Sequence, residues 1–82
     1  MIITEDLWND YIKGLLKAEL VRRKISYSKL AEKLKEIGII EDPKNLINKI
    51  NRAKFSATFL FECLYVIGCK EIKIDDPSKV IF

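Results

Sequence analysis

Four helix-start signals divide this chain of 82 residues. Thr4, Ser26, Asp42 and Ser56 each offer a side-chain oxygen to the free N–H groups of a helix's first turn. Each is followed by apolar residues at three- and four-residue spacing, which is the period of one helix face. Since only 3 Gly and 2 Pro are available for turns and loops, the sequence predicts an all-α domain with short connections.

The predicted helices run over residues 4–24, from Ser26 to Gly38, from Asp42 to about residue 53, and from Ser56 to Gly68. The two glycines end helices because glycine adopts the left-handed conformation of a helix C-terminus at little cost. The fourth helix is apolar almost all round and is predicted to be the central one. The predicted core comprises Trp8, Tyr11, Ile12, Leu15 and Leu16; Leu30, Ala31, Leu34 and Ile37; Leu46, Ile47 and Ile50; and Phe59, Leu60, Phe61, Cys63, Leu64, Tyr65, Val66 and Ile67.

The C-terminal extension, residues 69–82, has two alternative predictions. Ile72 and Ile74 alternate with polar residues, which is typical of a short β-strand or hairpin. Asp76 followed by Pro77 is equally typical of the start of a last short helix, after an extended segment. The sequence therefore predicts one domain over residues 1–82, with four to five helices, a core at about 4–68 and, as one alternative, a short C-terminal strand.

Several functional classes are disfavoured by what the sequence lacks. It contains no His, and Cys63 and Cys69 match neither a metal-binding nor a C-x-x-C spacing. Without a Gly-rich phosphate loop, a nucleophile elbow or paired carboxylates, no enzyme activity, metal, cofactor or small-molecule substrate is predicted. No apolar run approaches the ~20 residues that span a bilayer, and the first residues include acids, so we predict a cytoplasmic protein without a membrane partner.

Basic charge is concentrated in the middle of the chain. Residues 13–54 hold twelve basic and five acidic residues, whereas the remainder holds three basic and seven acidic ones. This distribution favours an anionic partner for the middle, although a solvated helix face produces the same bias. Two interpretations are equally favoured for the basic residues Arg22, Arg23 and Lys24. They bind phosphate, or they are cations that stabilise the negative C-terminal end of the first helix.

The third predicted helix has an apolar side and a polar side. Its polar side carries amide and basic groups at Asn45, Asn48, Lys49 and Arg52. Asn can pair with adenine through two hydrogen bonds, and Arg and Lys can bind guanine or phosphate. Preceded by a short capped helix, this arrangement is that of a helix-turn-helix, whose second helix enters the major groove of DNA.

The surrounding sequence resembles the lambda-repressor-like (Cro/C1-type) helix-turn-helix family. "SYSKLAEKL" is similar to the family's second helix. "INKINRAKFSATFLFECLYVIG" is similar to the family's recognition helix, the short basic segment after it, and the following helix. The resemblance covers roughly residues 12–74. The chain also resembles a group of small uncharacterised bacterial proteins with a "W-x-D-Y-x-K-x-L-L-K" start and a "K-I-x-R-x-K-F" centre.

The resemblance implies a DNA-binding transcriptional regulator with its third helix, about residues 43–53, in the major groove. It makes Asn45, Asn48 and Lys49 candidates for base contacts. Ala53 stands in the place of the family's central glycine, which favours continuation of the helix by a turn, and the segment "KEIGIIEDPK" is longer than the family's tight turn. The candidates for phosphate contacts are Tyr27, Ser28, Lys44, Arg52 and Lys54.

The chain ends are more apolar than the tails of a monomer need to be. They either complete the core or form a homodimer interface, for which the candidates are Ile72, Ile74, Val80, Ile81 and Phe82. A twofold dimer would suit a DNA reader because it matches a palindromic site. The alternative prediction is a protein-interaction module, such as an adaptor or antitoxin-like partner, that keeps the helical fold without reading DNA. Binding to structured RNA is a third, weaker prediction.

Overall fold

A computed structural model describes residues 2–79 and contains four α-helices in that range, with no β-strand. They are α1 (Glu5–Arg22), α2 (Tyr27–Glu36), α3 (Pro43–Arg52) and α4 (Ala57–Val66). The predicted all-α fold is confirmed. Nowhere in residues 2–79 is there a helix with the length and apolar character needed to cross a membrane.

All four predicted helix starts are confirmed. In each case the side-chain oxygen accepts a hydrogen bond from a backbone N–H two or three residues later, at distances of 2.8 to 3.2 Å. These bonds satisfy N–H groups that have no partner inside the helix. The caps therefore determine where each helix begins, at Thr4, Ser26, Asp42 and Ser56.

Three helices end in the same type of turn. Lys24, Gly38 and Gly68 take the left-handed conformation with φ of 56°, 89° and 81°. In each turn the next N–H donates to a leucine carbonyl near the helix end at 2.9 to 3.0 Å, which is a Schellman motif. The turn also places an apolar residue back against the core. The bonded pairs are Ile25 with Leu20, Ile39 with Leu34, and Cys69 with Leu64.

The core draws on all four helices. α2 lies against α3 and α4, and α1 contacts the same two helices. The fully buried side chains are Leu16, Leu30, Leu34, Leu46, Ile50 and Cys63. Burial also raises the pKa of the Cys63 thiol to about 12, so this cysteine is protonated at neutral pH and acts as a small apolar residue.

Five residues predicted to be in the core are exposed. α4 is not central: Phe61 and Tyr65 are each two positions from Cys63, about 200° around the helix, and therefore point outward. Ile37 follows the last residue of α2, so its side chain leaves the apolar face of that helix. Trp8 and Ile47 lie at the edges of their faces and are each 36% exposed. Tyr11, by contrast, is buried as predicted.

The hydroxyl group of Tyr11 on α1 binds the C-terminal segment. Tyr11 Oη donates to the carbonyl of Lys73 at 2.9 Å and accepts from the N–H of Asp75 at 2.7 Å. Up to residue 79 this segment contains neither the strand nor the fifth helix that the sequence allowed. A turn forms instead, in which Asp76 accepts hydrogen bonds from Ser78 that lower the pKa of its carboxyl group.

Replacement of Leu34 by Ala should lower the free energy of unfolding by about 2–5 kcal/mol, because Leu34 is 0% exposed and the change leaves a cavity between helices. Urea denaturation followed by circular dichroism measures this. Ile40→Ala is the matched control: this side chain is 76% exposed, so the change should stay within about 0.5 kcal/mol. Equal losses for the two variants would contradict the described core.

Tyr11→Phe removes the hydroxyl that joins α1 to the C-terminal segment. We expect it to lower the free energy of unfolding by about 0.5–1.5 kcal/mol, because the carbonyl of Lys73 and the N–H of Asp75 lose a part-buried hydrogen-bond partner. The amide of Asp75 should also exchange with solvent faster, as measured by hydrogen–deuterium exchange. Unchanged exchange at Asp75 would show that this bond does not hold the segment.

Candidate nucleic-acid interface

The inner face of α3 is fixed against the core. Leu46 and Ile50 are 0% exposed, and Asp42 and Pro43 start the helix with a cap and a proline in its first turn. α2 lies directly against this helix. Because packing holds one side of α3, the other side is presented to solvent in a defined orientation.

α3 ends at Arg52, and the predicted extra turn at Ala53 is wrong. Ala53 takes a left-handed conformation with φ of 54° and ψ of 25°, and its N–H donates to the carbonyl of Ile50 at 3.0 Å. This conformation costs a non-glycine residue about 1–2 kcal/mol. Ala53 is 8% exposed, and two residues after the turn the ring of Phe55 packs against that of Phe59, with centroids 5.3 Å apart and planes tilted by 54°. Burial of these apolar groups offsets the backbone cost.

The outer face of α3 is polar and cationic. Lys44, Asn45, Asn48 and Arg52, all candidates from the sequence, are exposed on it. Asn51 is exposed there as well and was missed. Its spacing in the sequence could have indicated this. Asn51 lies seven residues after Lys44 and three after Asn48, and residues at these spacings share one side of a helix.

The side chains of this outer face take no part in holding the fold together. Across residues 2–79 none of them forms a hydrogen bond or an ion pair. No acidic residue occurs between positions 43 and 61. We name these five side chains the α3 polar face: Lys44, Asn45, Asn48, Asn51 and Arg52. Amide and cationic groups free of internal partners are available for hydrogen bonds to another molecule.

Lys49 lies apart from the α3 polar face. Its Nζ is 2.7 Å from Oε1 of Glu41 and 4.4 Å from the centre of the Phe59 ring. The Lys49 side chain is 37% exposed and that of Glu41 is 16% exposed. This contact joins the α2–α3 connection, α3 and α4. A base contact by Lys49 stays a prediction, and it would require the ammonium group to leave Glu41.

The candidate phosphate contacts lie on three elements. Lys44 and Arg52 belong to the α3 polar face, and Lys54 is exposed directly after it. Ser28 is exposed in the first turn of α2, where free N–H groups favour an anion. Tyr27 is different: it packs against the core, and burial raises the pKa of its hydroxyl group.

The basic end of α1 is largely engaged within the chain. Glu19 is 8% exposed, and its two carboxylate oxygens lie 2.9 Å from Nη1 of Arg22 and of Arg23. A buried carboxylate needs such partners because removing a charge from water is costly. This supports the structural interpretation of Arg22 and Arg23 over phosphate binding.

The predicted dimer residues fall into three groups. Ile72 is partly buried against the core, whereas Ile74 is 69% exposed. Val80, Ile81 and Phe82 lie outside the described residues. The sequence left two roles open for the apolar extension: completion of the core, or a dimer interface. Ile72 therefore completes the core, and Ile74 remains a candidate for an interface.

These features define a small all-α domain in which the α3 polar face has no side-chain partner within residues 2–79. The chain belongs to the family described as a domain of unknown function (DUF6471), which matches residues 8–72. That range includes nearly all of the four helices and both short patterns that indicated an uncharacterised group. No curated protein and no solved structure matches the chain.

Glu41→Gln and Lys49→Gln, tested singly and together, should show a coupling free energy of about 0.5–1 kcal/mol, since the pair is only partly exposed. Urea denaturation of the four proteins measures it. Glu32 and Lys29 form the control pair, because they are 3.3 Å apart and their side chains are 68% and 57% exposed. If both pairs couple equally weakly, the Glu41–Lys49 contact does not help to position α3.

Proposed function

We propose that this protein is a small transcriptional regulator that binds double-stranded DNA in a sequence-specific manner, with α3 in the major groove. It acts in the cytoplasm, as a homodimer, and is a distant member of the lambda-repressor-like helix-turn-helix class. Asn45, Asn48 and Asn51 read bases, with Lys49 able to join them on leaving Glu41, and cationic side chains bind phosphates.

The observation that carries this proposal is the α3 polar face. Three amides and two cations project from one side of a helix whose other side is buried. Amide groups can read adenine through paired hydrogen bonds, and Arg or Lys can neutralise phosphate or bind guanine. A helix that only covered the core would not require amides together with cations, because any polar residues would be tolerated on its outer side.

Electrostatics of the surrounding segment supports the same function. Residues 43–61 contain four basic residues and no acidic one, so nothing in this stretch repels a phosphate backbone. Of the two acidic residues just before this stretch, Asp42 caps α3 by accepting from the N–H of Lys44, and Glu41 is paired with Lys49. The packing of α2 against α3 supports a helix-turn-helix arrangement, in which the first helix braces the second.

A protein-interaction module is the second candidate function. It is favoured by the exposed aromatic side chains Phe61 and Tyr65 on α4, which are 60% and 72% exposed. Exposed aromatic groups are enriched where proteins bind one another. This function does not explain the amides of the α3 polar face, so we place it second.

DNA binding can be tested by selecting bound duplexes from a random pool and titrating the enriched sequence across salt concentrations. Each phosphate contact to duplex DNA should contribute about 0.9 to the slope of log affinity against log salt. We expect a steep slope together with preference for the enriched sequence. Absence of duplex binding at low salt would contradict the proposal.

Two substitutions should separate base contacts from phosphate contacts. Asn48→Ala should reduce discrimination between the enriched and random duplexes by about 1–3 kcal/mol. Lys54→Ala should weaken all duplexes alike and reduce the salt slope by about 1. The controls are Asn9→Ala on α1 and Lys73→Ala in the C-terminal segment, which make the same changes away from α3 and from the two grooves beside α4. If the test variants behave like their controls, the surface formed by the α3 polar face and Lys54 does not bind DNA.

A further inference from the structure

The outer side of α4 carries an apolar surface that the DNA-binding proposal does not use. Phe61 and Tyr65 are one helical turn apart and form a ridge between two shallow grooves. Ile37, which is 44% exposed, lies across the first groove. Cys69 and Ile72 lie along the second. We name Ile37, Phe61 and Tyr65 the α4 apolar surface.

The exposed area of this surface is large for a chain of this size. At about 200 Å² for a full aromatic side chain, the exposed fractions of Phe61 and Tyr65 together with that of Ile37 amount to about 350 Å². Patches of about 300–600 Å² are the largest on typical monomers and are often functional. An aromatic pair at this position is not needed for folding, because its side chains lie opposite the buried face of α4.

We propose that the α4 apolar surface is a twofold interface between two copies of this chain, with the two α4 helices packed antiparallel. A twofold contact places the same surface on both sides, so the surface must be complementary to itself. Phe61 of one copy then lies against Tyr65 of the other, where aromatic rings favour edge-to-face packing. The grooves beside the ridge receive the rings of the second copy.

The charges bordering the surface suit this arrangement. Glu62 borders the first groove, and Lys70 with Glu71 borders the second, at the other end of α4. The segment before α4 carries Lys54 and no acidic residue. Antiparallel packing brings the end of one α4, with Glu71, towards the positively polarised start of the other, near Lys54. Glu71 of each copy then faces Lys54 of the other.

The available area also matches a weak dimer. If about 60% of a homodimer interface is apolar, an apolar part of about 350 Å² corresponds to about 600 Å² for each copy. The total of about 1,200 Å² is at the lower limit for a specific interface. We therefore expect association in the micromolar range and not a permanent dimer.

This interface leaves the α3 polar face free, because none of its five side chains lines either groove. Self-association can therefore be tested without DNA, and its failure would be distinct from failure of the DNA-binding proposal. Of the C-terminal residues that the sequence indicated as a dimer interface, Ile72 lies along the second groove, whereas Ile74, which is 69% exposed, lines neither groove.

Sedimentation velocity of the full chain between about 1 μM and 1 mM tests the interface. We expect the native chain to shift from monomer to dimer across this range. The Phe61→Ser, Tyr65→Ser double variant should weaken association at least tenfold, whereas Val21→Ser should not, although Val21 is 76% exposed. Circular dichroism of each variant confirms that its helices are intact.

Three results would overturn the proposal. The native chain could remain monomeric at 1 mM. The double variant could dimerise as tightly as the native chain. Ile74→Ser could abolish association, which would place the interface on the C-terminal extension. Should the double variant fail to fold, isotope-filtered NMR of the native chain replaces it: contacts between Phe61 and Tyr65 of different copies support the interface, and their absence overturns it.

Discussion

Short helices are the constraint on which this domain depends. α2, α3 and α4 have only ten residues each, and isolated helices of that length are marginal in water. They persist because every helix start is capped and because buried side chains from all four helices meet in one core. The Schellman turns stabilise the helix ends because they satisfy carbonyl groups there. They also contribute to the core, because each turn places an apolar residue against it.

Within this framework α3 has two separate tasks. Its apolar residues attach it to the core, and the five side chains of the α3 polar face are left without partners within residues 2–79. Lys49 connects the two tasks: its contact with Glu41 and Phe59 ties the helix to the preceding connection and to α4. The six residues between Glu36 and Pro43 would otherwise leave α3 less constrained. A reading helix must be held rigidly, since misplacement by one ångström is costly for recognition.

Two surfaces of different chemistry thus lie on neighbouring parts of the chain. The α3 polar face suits an anionic partner, and the α4 apolar surface suits a second copy. A weak dimer would fit the proposed regulator, because two reading helices joined by a reversible contact gain affinity only on a DNA site that engages both. Neither surface shares its side chains with the other, so each can be removed by substitution without the other.

The sequence alone determined that the domain is all-α, where each of the four described helices begins, and most of the buried residues, because caps and apolar spacing act within a few residues of each other. It also identified four of the five side chains of the α3 polar face. Only the tertiary structure decided the role of Lys49, the exposure of Phe61 and Tyr65, and the end of α3 at Ala53. Each of these depends on contacts between residues that belong to different elements: Glu41 and Phe59 beside Lys49, the helices that cover one side of α4 but not the other, and the packing that offsets a left-handed alanine. Local patterns specify a helix and its apolar face, but the neighbours that a side chain meets are set by how the helices pack.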